Sequence, residues 1–235
     1  MNDAVFIVAI VVGVISLIVG IAAYSAYAQR QRREAIQTFA GEFGLIFAPE
    51  DSEQIRARLM DFQLFKEGRG QRVYNVLRAE AEGVRMSIFD YQFTTGGGKS
   101  QHTHHQTVLL VEASDLHLPP ITIRQESLFD AIAGVFGFRD IDFEDQPEFS
   151  RRFLVKSPNE VMTRKLFDGD IFDFFVARRD LAFEAGRNRL VVYRRGRIVK
   201  PADLKPLLAD GLQLYNHFSS RLARLEQAAK TGQNS

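Results

Sequence analysis

Apolar and polar positions divide the chain into two unequal parts. From Ala4 to Ala28 no charged residue occurs in 25 consecutive positions. At about 1.5 Å per residue a helix of that length reaches roughly 37 Å, more than the ~30 Å hydrocarbon core of a bilayer. Tyr24 and Tyr27 stand at its C-terminal end, where amphipathic rings favour the headgroup level, and Arg30, Arg32 and Arg33 follow at once. The other flank offers only Asp3 and the α-amino group. The positive-inside rule therefore predicts a single-pass anchor over residues 1–29, in lipid through residues 4–28, with its N-terminus outside and the rest of the chain in the cytoplasm. A cleaved signal peptide is the competing reading, because Ala26-Tyr27-Ala28 before Gln29 fits an A-x-A site. It lacks a basic n-region, its apolar run is too long, and three arginines after the site oppose export.

Within the span, Ala9, Gly13, Ser16, Gly20, Ala23 and Tyr27 recur at spacings of 4, 3, 4, 3 and 4. Such a stripe lets two helix backbones approach and makes these residues candidates for helix association, although small residues are common in membrane helices generally.

Beyond the anchor the periods shorten and vary. Ile36, Phe39, Ala40 and Phe43 continue a helix that ends at Gly44, and a weak helix follows around Ser52 to Met60. Strand patterns occupy 72–79 and 84–93, joined through Glu82-Gly83, then 106–113 and 120–125. In the second of these, Val84, Met86 and Ile88 share one side while Phe89, Tyr91 and Phe93 shift to the other, which predicts cover on both faces. Ser127 to Asp130 forms a capping box for a short helix ending near Gly137; Ser157-Pro158-Asn159-Glu160 forms another. Between them Arg152 to Lys156 reads as a strand. A hairpin at 181–185 and 189–195 precedes a long helix from Pro201 to about Gln227, whose apolar face of Leu204, Leu208, Gly211, Tyr215, Phe218, Leu222 and Leu225 suits the domain's own sheet. Without βαβ alternation, this order predicts an α+β fold: an N-terminal transmembrane helix, then a mainly antiparallel sheet covered by helices. The domain is expected over 30–227, in one piece or two lobes meeting near 145–150, with a polar tail at 228–235.

Composition narrows the function. Thirty Lys and Arg balance 29 Asp and Glu, so no strongly basic surface drives nucleic-acid binding. The absence of cysteine removes disulfides, thiolate metal sites and a Cys nucleophile. Gly96-Gly97-Gly98-Lys99-Ser100 copies the end of a phosphate loop, but Phe93 stands where the first Gly belongs and a strand follows instead of a helix. His102, His104 and His105 are candidate metal ligands, with Glu112, Asp115 and His117 the nearest further donors in sequence; a solvated loop accounts for them with less. Asp140-Ile-Asp142-Phe-Glu144-Asp145 begins like a calcium loop but lacks its Gly and its last Glu, and reads as an edge segment with Ile141 and Phe143 inward. Arg187, Arg189, Arg194, Arg195, Arg197 and Lys200 form the densest basic stretch and, with Arg30, Arg32 and Arg33, are candidates for a lipid surface.

The runs FDYQFTTGGGKSQHTHHQTV, LPPITIRQESLF, FGFRDIDF and FSRRFLV, between Phe89 and Phe167, resemble a family of uncharacterised bacterial single-pass membrane-anchored proteins. The resemblance implies a bacterial inner membrane and the plan of one anchor plus one domain; it brings no activity, cofactor or catalytic residue. The expected function is a non-catalytic module binding a protein partner, a second copy or the membrane surface, with no cofactor. The alternatives are a membrane-tethered metal-dependent hydrolase using the histidine loop, and a structural protein acting through helix association.

Overall fold

The computed structural model describes residues 2–51, 54–125 and 140–232. It opens with α1, Asn2–Phe43, one unbroken helix of 42 residues and about 63 Å. This is a helix near the N-terminus long and apolar enough to cross a membrane. It stops at Gly44, where the Leu45 amide bonds back to the Ala40 carbonyl at 2.8 Å and closes a Schellman cap.

The chain then builds eight strands, β1 Ile46–Glu50, β2 Arg69–Ala81, β3 Val84–Thr95, β4 His102–Ala113, β5 Leu118–Gln125, β6 Phe153–Lys156, β7 Leu181–Arg187 and β8 Arg189–Arg194. They form one sheet in the order β1-β2-β3-β4-β8-β7-β5-β6, antiparallel throughout. Strands from both sides of 145–150 enter this sheet. The helices are α2 Ile55–Arg58, α3 Pro147–Ser150, α4 Glu160–Leu166, α5 Gly169–Ala177 and α6 Leu204–Gly232.

Two cores fill the two faces. On one, Ile36, Phe39 and Ala40 of α1 join the apolar sides of α5 and α6 over Leu77, Ile88, Leu109, Val111 and Val192. Here Gly211 of α6 sits on the sheet so closely that a Cβ would strike Leu109 Cδ2, which is why this helix interior carries a glycine. On the other, Ile55, Leu59, Phe62, Leu64 and Phe65 cover Phe89, Tyr91, Phe93, Val108, Leu110 and Tyr193. That cover is α2 and an irregular segment, because 59–68 holds a turn at Leu59–Phe62 and one short 3-10 helix, Leu64–Lys66.

Several sequence expectations move. The strand β4 begins at His102, so the histidines belong to a strand and not to a loop. The cap of α4 is Asn159, whose side chain accepts from the Met162 amide at 3.0 Å; Ser157 instead accepts from the Asn159 amide, leaving Pro158 ahead of the helix. The long helix extends to Gly232, five residues past Gln227. β1, α3 and α5 have no counterpart among the elements expected from the sequence. The helix expected from Ser127 to Gly137 lies outside the described residues.

Candidate functional site

The sheet has two distinct ends. One carries the β3–β4 connection, where Thr95 pairs with His102, together with the last residues of β1, β5 and β8. The other carries the β2–β3 and β7–β8 turns, where Ala81 pairs with Val84 and Gly186 with Arg189.

Toward the first end, α1 is fastened to the sheet by charge. Asp90 of β3, with its side chain 1% exposed, receives Arg32 Nε at 2.8 Å on one oxygen and Arg32 Nη2 at 2.7 Å on the other. Asn75 Nδ2 at 2.9 Å and Thr107 Oγ1 at 2.9 Å complete its shell. The third guanidinium nitrogen, Nη1, donates to the Val199 carbonyl at 2.7 Å. Asn75 reaches this position because β2 bulges between Tyr74 and Leu77 and puts it at φ 52, a conformation asparagine tolerates better than most residues. A planar fork on a buried carboxylate is the strongest ion-pair geometry available to an arginine. Burial and the adjacent Asp90 charge push the neighbouring Tyr74 phenol up to about 12, so it stays neutral.

The histidines face opposite ways. His104 stacks on Phe93 at 4.8 Å, meets the His102 ring edge-on at 4.5 Å, and exchanges a hydrogen bond with Thr95 Oγ1 at 2.8 Å. His105 projects to the other face and approaches the Tyr74 hydroxyl at 3.4 Å. Burial, then Arg195 and His102, lowers the His104 pKa. Asp140 bridges to Lys156 at the β6 edge, with β8, β7 and β5 between it and β4, so the acidic segment and the histidines do not converge. Ile141 and Phe143 are buried there. Among the described residues, the cluster of potential metal donors whose atoms lie within 4.8 Å of one another is Asp168, Asp170 and His217, between α5 and α6, and it contains none of the strand histidines. His217 Nε2 there contacts the Leu166 carbonyl at 3.3 Å and lies 3.6 Å from Asp168 Oδ1, an ion pair whenever the ring is protonated. An open groove of about 570 Å³ adjoins it, lined by Asp170, Asp173, Arg178, His217 and Arg224 of mixed charge.

The basic stretch is divided by its own hairpin. Arg187 and Arg189 lie at the turn end, where Arg189 is buried, donating to Asp61 at 2.7 Å and to the Arg58 carbonyl. Arg194, Arg195, Arg197 and Lys200 lie at the connection end. Arg194 is held between Asp180 and Asp210, and Arg195 pairs with Glu67 at 2.8 Å. As lipid-surface candidates, Arg32, Arg189 and Arg195 are thus corrected: their charges are neutralised inside the domain. Arg30 pairs with Glu34 on the exposed face of α1, while Arg33, Arg197 and Lys200 remain exposed. Gly13, Ser16, Gly20 and Ala23 lie in the exposed part of α1, with nothing within 4 Å of a Cβ at either glycine, and Ala9 belongs to the same helix.

Sequence reasoning missed the buried charge network opposite α1. Arg124, 1% exposed, lies between Glu184 at 2.6 Å and Glu67 at 2.8 Å; the Tyr193 hydroxyl and the Leu64 amide also donate to Glu184. Burial opposes the Arg124 charge, but Tyr193 and the two glutamates outweigh it and raise its pKa. Its hydrogen bonds to the Gln63 and Leu64 amides and its ion pair with Glu67 pin the 59–68 segment to the sheet.

No protein-family model and no curated protein matches the chain. Among solved structures, it is similar to the crystal structure of the mycobacterial trehalose monomycolate transport factor A, TtfA, with a TM-score of 0.59 and 15% sequence identity over 82% of this chain and 95% of that one. At that identity the likeness concerns the fold.

Proposed function

We propose that the chain is a single-pass inner-membrane protein whose cytoplasmic α+β domain is a non-catalytic binding module held in a fixed attitude to the bilayer. The observation that carries this reading is the continuity of α1. The apolar run passes without a break into the helix that packs on the sheet, and Arg32 fastens the junction to buried Asp90. A flexible tether only raises local concentration, whereas a continuous helix also orients the domain. The arginines after the span support a cytoplasmic domain. The fold is shared with a protein named as a transport factor, which fits a non-catalytic, membrane-associated role.

Orientation is testable because the chain has no cysteine. Asn2→Cys should react with a membrane-impermeant maleimide added to spheroplasts, and Ser220→Cys only after lysis; labelling of Ser220→Cys from outside overturns the reading. For the binding role, photo-crosslinking residues scanned over the exposed sheet edges and α6 should give discrete adducts in intact membranes. A scan without adducts removes the module.

A further inference from the structure

We propose that the β3–β4 connection, Thr95 to His102, rests on the headgroups of the bilayer that α1 crosses, and that Arg33, Lys99 and Lys200 hold anionic ones there. This rests on the anchored reading above and adds a second contact between the domain and the membrane.

The direction of α1 over the sheet comes first. Phe43 lies three residues before Ile46, which pairs with Arg78 toward the turn end; Arg32 meets Asp90 and Thr107 nearer the connection end. Traced backward, α1 therefore leaves the domain past the β3–β4 connection. From Arg32 to Ala28, the last residue of the uncharged run, is four residues, about 6 Å of helix. From Asp90 to Thr95 is five residues, about 16 Å of strand. Even at a crossing of roughly 45°, the strand advances about 12 Å along the helix axis. The connection thus reaches at least the depth at which α1 enters lipid.

Its chemistry suits that depth. Residues 96 to 103 are exposed and polar, with no large apolar side chain to enter the acyl region. The absence of an aromatic anchor also makes the tip a poor protein hot spot. The shape is nonetheless held: Gly96 takes φ 72 with a Cβ position that would strike the Ser100 carbonyl, and Arg69 donates to the Gly96 carbonyl at 2.6 Å and to Gln101 at 3.1 Å.

The charge left over at this end is positive on balance, although Asp203 is an exposed acid in the same groove as Lys200. Glu34 holds Arg30, Glu50 holds Arg72, Glu67 holds Arg124 and Arg195, Asp180 holds Arg194 and Arg197, and Asp90 holds Arg32. Arg33, Lys99 and Lys200 are exposed and make no ion pair with the described residues. Arg69 is committed to the connection itself. Lys200 follows Val199, whose carbonyl accepts from Arg32, so it stands beside the departing helix.

The test uses the full chain in nanodiscs. Gly97 has extended backbone and nothing within 4 Å of a Cβ, so Gly97→Cys gives a unique labelling site; Asn188→Cys, at the turn end, is the control. Discs contain phosphatidylcholine alone or with about one third phosphatidylglycerol, plus a headgroup-attached nitroxide. The label at 97 should be quenched, more strongly with phosphatidylglycerol, and the label at 188 should not. Arg33→Gln, Lys99→Gln and Lys200→Gln together should abolish the dependence on phosphatidylglycerol, at about fivefold in contact per cation. Equal quenching at 97 and 188, or quenching at 97 indifferent to lipid charge, overturns the proposal in discs whose protein resists alkaline extraction. Protein removed by alkali overturns the anchored reading instead.

Discussion

Replacing Arg32 with Ala isolates the junction between the apolar helix and the domain. The substitution removes two charge-assisted bonds to a carboxylate that is 1% exposed, plus the bond to the Val199 carbonyl. Breaking a buried pair by deleting one partner costs about 3–5 kcal/mol, because the remaining charge stays desolvated. Asn75 and Thr107 still donate to Asp90, and the Arg32 side chain is 17% exposed, so water reaches the gap; both place the expected loss near the lower end, about 3 kcal/mol. Urea unfolding of the full chain in detergent, followed by circular dichroism because the chain has no tryptophan, measures it. A cycle with Asp90→Ala should return a coupling of about 2 kcal/mol or more. Ile36→Ala, in the same helix and fully within the apolar core, is the reference at about 2–5 kcal/mol. If Arg32→Ala loses under about 1 kcal/mol while Ile36→Ala behaves as expected, helix packing alone joins α1 to the sheet and the clamp is an incidental contact.

Gly211→Ala should destabilise by about 1–3 kcal/mol by overpacking against Leu109 and Met86, and Leu109→Ala in the same chain should recover part of the loss; independent, additive costs in thermal unfolding would contradict that contact. Arg124→Met leaves Glu67 and Glu184 facing each other's charge in a dry site and should cost at least about 3 kcal/mol, with early proteolysis of the 59–68 segment; full protection of that segment would remove its pinning role. Because His104 has its pKa lowered in the fold, the unfolded chain takes up the proton first as pH falls. Its contribution is whole above the unfolded value near 6.5 and declines as pH drops through the folded one. Urea midpoints should therefore fall between pH 7.5 and 5.5, and His104→Gln should flatten part of that slope; an unchanged slope would falsify the assignment.

Legibility from sequence differed by element. The uncharged run before Arg30, the end of α1 at Gly44 and the β2–β3 turn at Glu82-Gly83 all depend on neighbours within a few positions, and the sequence reading located them. The shift from Ile88 to Phe89, Tyr91 and Phe93 correctly announced a strand covered on both faces. β1 escaped notice because Ile46-Phe-Ala-Pro-Glu50 has no alternation and gains its hydrogen bonds only from β2. The α5 sequence is short and rich in Phe, a weak helix former, and becomes helical under the packing of its four buried residues. In β2 the bulge puts Val73 and Val76 on one face, three positions apart, a parity that no period of two displays.

Local chemistry accordingly determined that this chain carries a helix able to span a bilayer and an antiparallel α+β domain, since charge-free length, turn residues and alternation act over short stretches. The roles of its charges were decided by tertiary structure. Arg32 and Arg33 are adjacent and alike in sequence, yet one is closed around a buried carboxylate 58 positions away and the other faces solvent. Arg189 and Arg197 belong to one basic run but stand at opposite ends of the sheet, because the β7–β8 turn falls before the first and β8 separates the two. An ion pair's value depends on which partner the fold brings near and how much water it excludes, and neither quantity is written in residue order.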